Sequence, residues 1–160
     1  MKKIELFVGL KIPDTTAITA FHTLERMGYS KLESLERRDY YGFKIKGDAD
    51  EFSREIVKTD ILVNANKHTH QIKQEGDKIE KENKCEIYVL VKSIDNDANN
   101  LMFTLKHRLG FDNIIEMEKG ILWKLDFNLN DYDEAKKLAE DIAKNLLVNS
   151  HYQGFKVNNF

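Results

Sequence analysis

The sequence predicts an α+β fold made of two similar lobes, each with the element order β-α-β-β-α-β. Three observations carry this expectation. A stretch near the start of the chain recurs in its second half. Within each copy the apolar residues switch from a period of two to a period near 3.6. Both copies then close their helix on a glycine followed by an aromatic residue. Residues 4–29, IELFVGLKIPDTTAITAFHTLERMGY, lie against residues 86–111, EIYVLVKSIDNDANNLMFTLKHRLGF. In this comparison Lys11 answers Lys92, Thr23 answers Thr104, Leu24 answers Leu105, and Gly28-Tyr29 answers Gly110-Phe111. The correspondence runs to the end of each half, where Ile61-Leu62-Val63-Asn64 meets Leu146-Leu147-Val148-Asn149. A repeat of about eighty residues is the size of a small domain and too long for a solenoid unit. The chain reads as a tandem duplication.

The first lobe takes its elements in order. Ile4, Leu6, Val8, Leu10 and Ile12 alternate as a strand, with Glu5, Phe7, Gly9 and Lys11 on its other face. Pro13 ends the strand, and Asp14, Thr15 or Thr16 caps the next helix. Ala17, Phe21, Leu24 and Met27 form that helix's apolar stripe. Residues 31–47 read as a hairpin: Leu32 and Leu35 on one strand, a polar turn at Arg37 to Asp39, then Tyr41, Phe43 and Ile45. Residues 48–61 form a second helix anchored by Phe52 and Ile56, and residues 65–72 a loop entering a last short strand.

Residues 73–84, KQEGDKIEKENK, carry almost no apolar surface and read as a solvated linker. This divides the chain into lobe 1 (residues 1–72), the linker, and lobe 2 (residues 85–160). Lobe 2 repeats the plan. Cys85, Ile87, Val89 and Val91 alternate inward, and Ala98, Leu101, Met102, Leu105 and Leu109 make the helix stripe. Residues 114–127 read as a hairpin turning near Lys119-Gly120. Asp131 with Glu134 resembles a capping box for a final helix with the stripe Ala135, Leu138, Ala139, Ile142 and Leu146. The strand order is that of a ferredoxin-like split unit. Phe7, Tyr88 and Leu90 lie on the faces that the lobes' own helices leave open, where an open sheet would be polar. The two sheets are therefore expected to cover each other as a pseudo-dimer, alone or with another subunit. A lobe of roughly seventy residues is marginal by itself, which argues the same way.

Charged residues make up 32% of the 160 and the net charge is -2, so no uniform field draws the chain to nucleic acid or to anionic membrane. A single cysteine, Cys85, excludes an internal disulfide framework and fits a reducing cytoplasm. Met1-Lys2-Lys3 leads into a short alternating strand, so neither a signal peptide nor a membrane span is expected.

Chemistry-bearing patterns are sparse. His68 and His70 would share one face of a strand, but no third ligand is suggested by spacing, so no metal is expected. The serines sit in no nucleophile elbow and no glycine-rich phosphate loop follows either first strand, so neither catalysis nor a cofactor is expected. Phe7 with Tyr41 or Phe43, and Tyr88 with Trp123, could stack RNA bases, against which stand the negative charge and the absence of the glycine-aromatic signature. A small-molecule-binding regulator of the ACT type shares the strand order, but its usual glycine is missing from residues 12–16 and 94–97.

Each lobe resembles PurS, the small subunit of the multi-subunit phosphoribosylformylglycinamidine synthase of purine biosynthesis. The carrying residues are the first strands ending in Lys11 and Lys92 and the helix closures LERMGY and LKHRLGF. Added to these are the Leu-Val-Asn endings at Asn64 and Asn149. The resemblance spans nearly all of both lobes. It implies a non-catalytic cytoplasmic subunit that bridges a PurQ-like glutaminase and a PurL-like synthetase, with two fused lobes standing for a dimer and further homo-oligomerisation open. The expected partner contacts are Lys11, Lys92, Asn64, Lys67, His68 and Asn149. They fall at or beside the paired loops 12–16 with 94–97 and 65–70 with 150–153.

Overall fold

Alternation at Ile4, Leu6 and Val8 produces strand β1 (Lys2–Leu10) in the computed structural model, which describes residues 1–79, 81 and 85–158. Helix α1 (Thr15–Arg26) follows, capped by Asp14, whose carboxylate accepts the N–H groups of Thr16 and Ala17. Then come β2 (Leu32–Ile45), α2 (Ala49–Ile56) and β3 (His68–Gln74). The second half supplies β4 (Glu86–Ser93), α3 (Asn99–His107), β5 (Ile114–Phe127), α4 (Tyr132–Ile142) and β6 (Gln153–Asn158). A π-helical turn, Ala143–Leu147, extends α4. The fold is α+β, with six strands in the order β3-β1-β2-β5-β4-β6. Strand β1 pairs antiparallel with β2 and β3, and β4 with β5 and β6.

Both helix closures form as the Gly-aromatic pairs predict. Gly28 and Gly110 take φ of 98° and 80°, a conformation that only glycine adopts without strain. The chain then folds back, with Tyr29 N–H donating to the Leu24 carbonyl (3.1 Å) and Phe111 N–H to that of Leu105 (3.0 Å).

Four expectations are corrected. Residues 31–47 and 114–127 are not hairpins; each is a single strand of 14 residues. No glycine or Asn-Gly pair reverses the chain at Arg37 to Asp39, and Asp39 stays in the ladder opposite Val8. Each half is therefore β-α-β-α-β, which removes the ferredoxin-like order. The second helix stops at Ile56 instead of continuing to Ile61. Strand β3 runs two residues into the span read as linker, with Lys73 opposite Glu5; residues 80 and 82–84 of that span lie outside the described residues.

The chain divides into two compact units that do not follow the chain-order lobes. Unit 1 comprises Met1–Lys11, Asp39–Lys78 and Asp95–Gly120; unit 2 comprises Ile12–Arg38, Ile79–Ile94 and Ile121–Phe160. The backbone passes from one to the other five times, after Lys11, Arg38, Lys78, Ile94 and Gly120. In unit 1 the core joins Ile4, Leu6 and Val8 of β1 and Phe43 and Ile45 of β2 to Phe52 and Ile56 of α2. Leu105 of α3 and Ile114 and Met117 of β5 complete it. In unit 2, Ala17 and Leu24 of α1 and Leu32 and Leu35 of β2 pack with Ile87, Val89 and Val91 of β4. Trp123, Leu125 and Phe127 of β5 and Ala135, Ala139 and Ile142 of α4 close that core. Helix α1 thus serves the strands of the second half, and α3 those of the first.

This interleaving makes a direct prediction. A fragment of residues 1–78 lacks Leu105, Ile114 and Met117 of unit 1 and every second-half residue of unit 2. Expressed alone, it should show no cooperative unfolding transition, and co-expression with residues 79–160 should restore one. A monomeric 1–78 fragment with a sharp urea transition would contradict the interleaved assignment.

Candidate functional site: twin loops and buried carboxylates

In unit 1 the chain leaves Val63 and turns on Asn64. The Asn64 carbonyl accepts from the N–H groups of Lys67 (3.0 Å) and His68 (2.8 Å), and its side-chain Oδ1 accepts from Asn66 N–H (3.0 Å). An Asn side chain that bonds the backbone two residues on is the usual way to build such a turn. His68 locks it from the far side, because Asn64 N–H donates to His68 Nδ1 at 3.0 Å. An amide must donate, so the neutral ring carries its proton on Nε2. Lys11 closes the end of β1 onto this loop, its N–H bonding the Lys67 carbonyl (2.9 Å) and its ammonium reaching the Ala65 carbonyl.

Unit 2 contains the same arrangement. The Asn149 carbonyl accepts from Tyr152 N–H (3.2 Å) and Gln153 N–H (2.8 Å), and its Oδ1 from His151 N–H (3.2 Å). Gln153 Oε1 takes the role of His68 Nδ1, accepting Asn149 N–H at 2.9 Å. The backbone bond from the neighbouring strand is made by Ile94, whose N–H meets the Tyr152 carbonyl at 2.9 Å.

The structure therefore gathers Lys11, Asn64, Lys67 and His68 into one loop cluster and sets Lys92 and Asn149 in the other unit. Lys92 does not hold the place of Lys11. It lies within β4 opposite Gly154, and Ile94 does what Lys11 does. After the shared Asn the side chains differ at all four positions: Ala65 against Ser150, Asn66 against His151, Lys67 against Tyr152 and His68 against Gln153. Lys67 and Tyr152 are both exposed. His70, two residues along β3, is exposed, and among the described residues no group of three or more His, Cys, Asp and Glu is placed to hold a metal ion. No helix among the described residues is long and apolar enough to cross a membrane.

Sequence reasoning missed two buried carboxylates, Glu5 (7% exposed) and Glu86 (1%). Glu5 lies on the face of β1 that carries Phe7, opposite Ile4 and Leu6. Tyr40 donates to Glu5 Oε2 at 2.7 Å with Glu118 Oε1 3.3 Å away, and the Lys73 ammonium stands 3.4 Å from Glu5 Oε1. Gly42 makes room for this group: a Cβ there would fall 2.8 Å from the Tyr40 hydroxyl and 2.9 Å from Glu118 Cγ. In unit 2, Tyr88 donates to Glu86 Oε1 at 2.6 Å and Lys124 pairs with the same oxygen at 3.1 Å. Burial, then the neighbouring glutamates, pushes the Tyr40 and Tyr88 phenols far above their ordinary range. Burial opposes the Lys124 ammonium, but its hydrogen bond to Glu86 and the Glu36 carboxylate prevail and raise its pKa. The signal available in the sequence was Glu5 and Glu86 sharing a strand face with Phe7 and Tyr88.

No protein-family model matches the chain, and no curated protein matches it.

Tyr40, Tyr88 and Lys124 thus have a folded pKa above the unfolded values of about 10 for Tyr and about 10.4 for Lys, and Tyr29 and Tyr41 are raised as well. A raised folded pKa contributes stability that is complete below the unfolded pKa and is lost as pH rises beyond it, because the unfolded chain releases protons that the folded chain keeps. The urea midpoint should fall between about pH 9 and about pH 11. Tyr40→Phe deprives Glu5 of its phenol donor and should cost about 1–3 kcal/mol at neutral pH. It should also make the alkaline decline shallower. An alkaline decline as steep in the variant as in the wild type would exclude this account.

Proposed function

We propose that the chain is a non-catalytic, cytoplasmic bridging subunit of PurS type. It would join a PurL-like synthetase to a PurQ-like glutaminase in phosphoribosylformylglycinamidine synthase. The observation that carries this reading is the Asn-headed loop made twice with the same backbone bonds and different side chains. Loops at strand ends, held by a rigid scaffold, are where a protein without a reaction of its own meets its partners.

On this reading the chain is a tandem duplication whose two lobes stand for a pair of subunits. Several further recurrences support it. The long strands have equal length, at 14 residues each. Lys46 N–H bonds the Asn113 carbonyl in unit 1 at 3.0 Å, and Asn128 N–H bonds the Lys31 carbonyl in unit 2 at 2.8 Å. Asp48 and Asp131 both cap the helix that follows the long strand. A symmetric pair of subunits offers every partner the same surface, whereas a duplicated chain is free to diverge. Ala65, Asn66, Lys67 and His68 against Ser150, His151, Tyr152 and Gln153 are that divergence, and they favour asymmetric binding of one partner at each loop.

The test is reconstitution with the synthetase and the glutaminase of the same cell. The chain should co-migrate with one or both and raise glutamine-dependent synthase activity, while alone it should turn over neither glutamine nor ATP. Lys67→Glu should weaken association by roughly tenfold, about 1.4 kcal/mol. Its thermal midpoint should barely move, because exposed substitutions stay within about 0.5 kcal/mol. His68 is left intact in this variant, since it holds the loop together. If neither protein binds the chain and the activity does not need it, the bridging reading falls, and a thermal shift with small metabolites would point to the ACT-like regulator.

A further inference from the structure

Unit 1 carries an open cleft of about 490 Å³ between the start of α2 and the corner after α3. Its walls are unlike in character. Phe111 stands edge-on against Phe52, ring centroids 5.8 Å apart, and Leu109 beside them is 47% exposed. Around this apolar floor stand the carboxylates of Glu51, Glu55 and Asp112, with Lys46 as the one basic side chain lining the cleft. Glu51 and Asp112 make no ion pair among the described residues, and Glu55 meets only the exposed Lys58 at 3.3 Å. Asp48 also lines it, but its carboxylate is engaged by the N–H groups of Asp50 and Glu51 as the cap of α2.

The corresponding corner of unit 2 is strapped. There the aromatic is Tyr29, whose hydroxyl donates to Asp141 Oδ2 (2.6 Å) and accepts from Asn145 Nδ2 (2.9 Å). Asn145 reaches it because α4 continues into the π-helical turn, whereas α2 stops at Ile56. Phe111 has no hydroxyl with which to make such a strap. One copy of the corner is thus pinned to its helix, and the other is left open with an apolar floor and a mainly acidic rim.

We propose that this cleft is a docking surface for a basic, partly apolar segment of a partner protein. A leucine-like side chain of that segment would lie on Phe111 and Leu109, and flanking arginines or lysines would face Glu51, Glu55 and Asp112. Charge complementarity selects this occupant. An acidic segment would place like charges together, and a purely apolar one would leave the carboxylates desolvated. The proposal rests on the bridging reading and deepens it by giving one partner a chemical description.

The experiment titrates the intact purified chain with fluorescent peptides and follows anisotropy. One peptide alternates leucine and arginine, a second alternates leucine and glutamate, and a third alternates serine and arginine. The leucine-arginine peptide should bind saturably, and more weakly as salt is added. Its affinity should fall by roughly tenfold in Glu51→Lys/Glu55→Lys and stay unchanged in Glu134→Lys, a single charge reversal at the position of α4 in unit 2 that corresponds to Glu51. The serine-arginine peptide should bind more weakly than the leucine-arginine peptide. Glu51→Gln/Glu55→Gln should show a smaller loss in the same direction, and keeps the test readable if the reversed pair does not fold. Unchanged binding in both Glu51/Glu55 variants, equal loss in Glu134→Lys, or equal binding of the leucine-glutamate peptide would overturn the proposal. So would sedimentation showing a dimer that Glu51→Lys/Glu55→Lys dissolves, since the occupant would then be a second copy. The assay contains no synthase subunit, so its failure leaves the reconstitution result standing, and failure of reconstitution leaves peptide binding standing.

Discussion

Each of the two long strands belongs to two cores, and the rest of the structure depends on this. Leu32 and Leu35 at one end of β2 pack in unit 2, while Phe43 and Ile45 at the other end pack in unit 1. Strand β5 runs the opposite way, from Ile114 and Met117 in unit 1 to Leu125 and Phe127 in unit 2. At about 3.3 Å per residue, a strand of 14 residues extends about 45 Å, longer than one small core requires. The helices are then assigned by where the strands emerge. That is how α1 comes to pack with β4, and why α3 completes a core begun by β1.

The buried glutamates follow from strands covered on both faces. Such strands normally read as continuous apolar runs. Strands β1 and β4 nearly do, since Ile4 to Val8 and Glu86 to Val91 are all buried. Glu5 and Glu86 interrupt them, and a buried carboxylate is tolerated only with partners in place. Each unit provides a phenol and a lysine, but from different positions. Tyr40 and Lys73 come to Glu5 from the strands on either side, whereas Glu86 takes Tyr88 from its own strand and Lys124 from the neighbouring one. The two halves thus partner their buried glutamates from different positions.

Much of this was legible in the sequence, and the failures have identifiable causes. The stripes at Ile4, Leu6 and Val8 and at Ile87, Val89 and Val91, a cap among Asp14, Thr15 and Thr16 and both glycine closures were readable because each depends on local spacing. The hairpins were misread because Glu36-Arg37-Arg38-Asp39 and Glu118-Lys119-Gly120 look like turns. Those polar stretches mark the crossings between units, at Arg38/Asp39 and Gly120/Ile121, and a polar interruption in a strand does not say which of the two it is. The twin loops were placed by Asn64 and Asn149, but Lys92 was matched to Lys11 on residue type alone. Hydrogen bonding, which decides equivalence here, assigns that place to Ile94. The acidic cleft could not be read at all, because Glu51 and Asp112 are brought together only by α3 joining unit 1.

The five crossings of the backbone also bear on how the protein is made. A chain emerging from the ribosome presents β1, then α1, then β2, each with an apolar face whose partners are not yet synthesised. The core of unit 1 lacks Ile114 and Met117 until most of the chain is out, and unit 2 still waits for α4 and β6. Neither half can bank its folding early, as successive independent domains do. Residues through Met117 must be present before the core of unit 1 closes, and residues through α4 before that of unit 2 does, and the nascent protein carries exposed Leu, Ile and Val until then. Its dependence on chaperones should therefore be set by the order in which its segments are translated, more than by the stability of the finished fold.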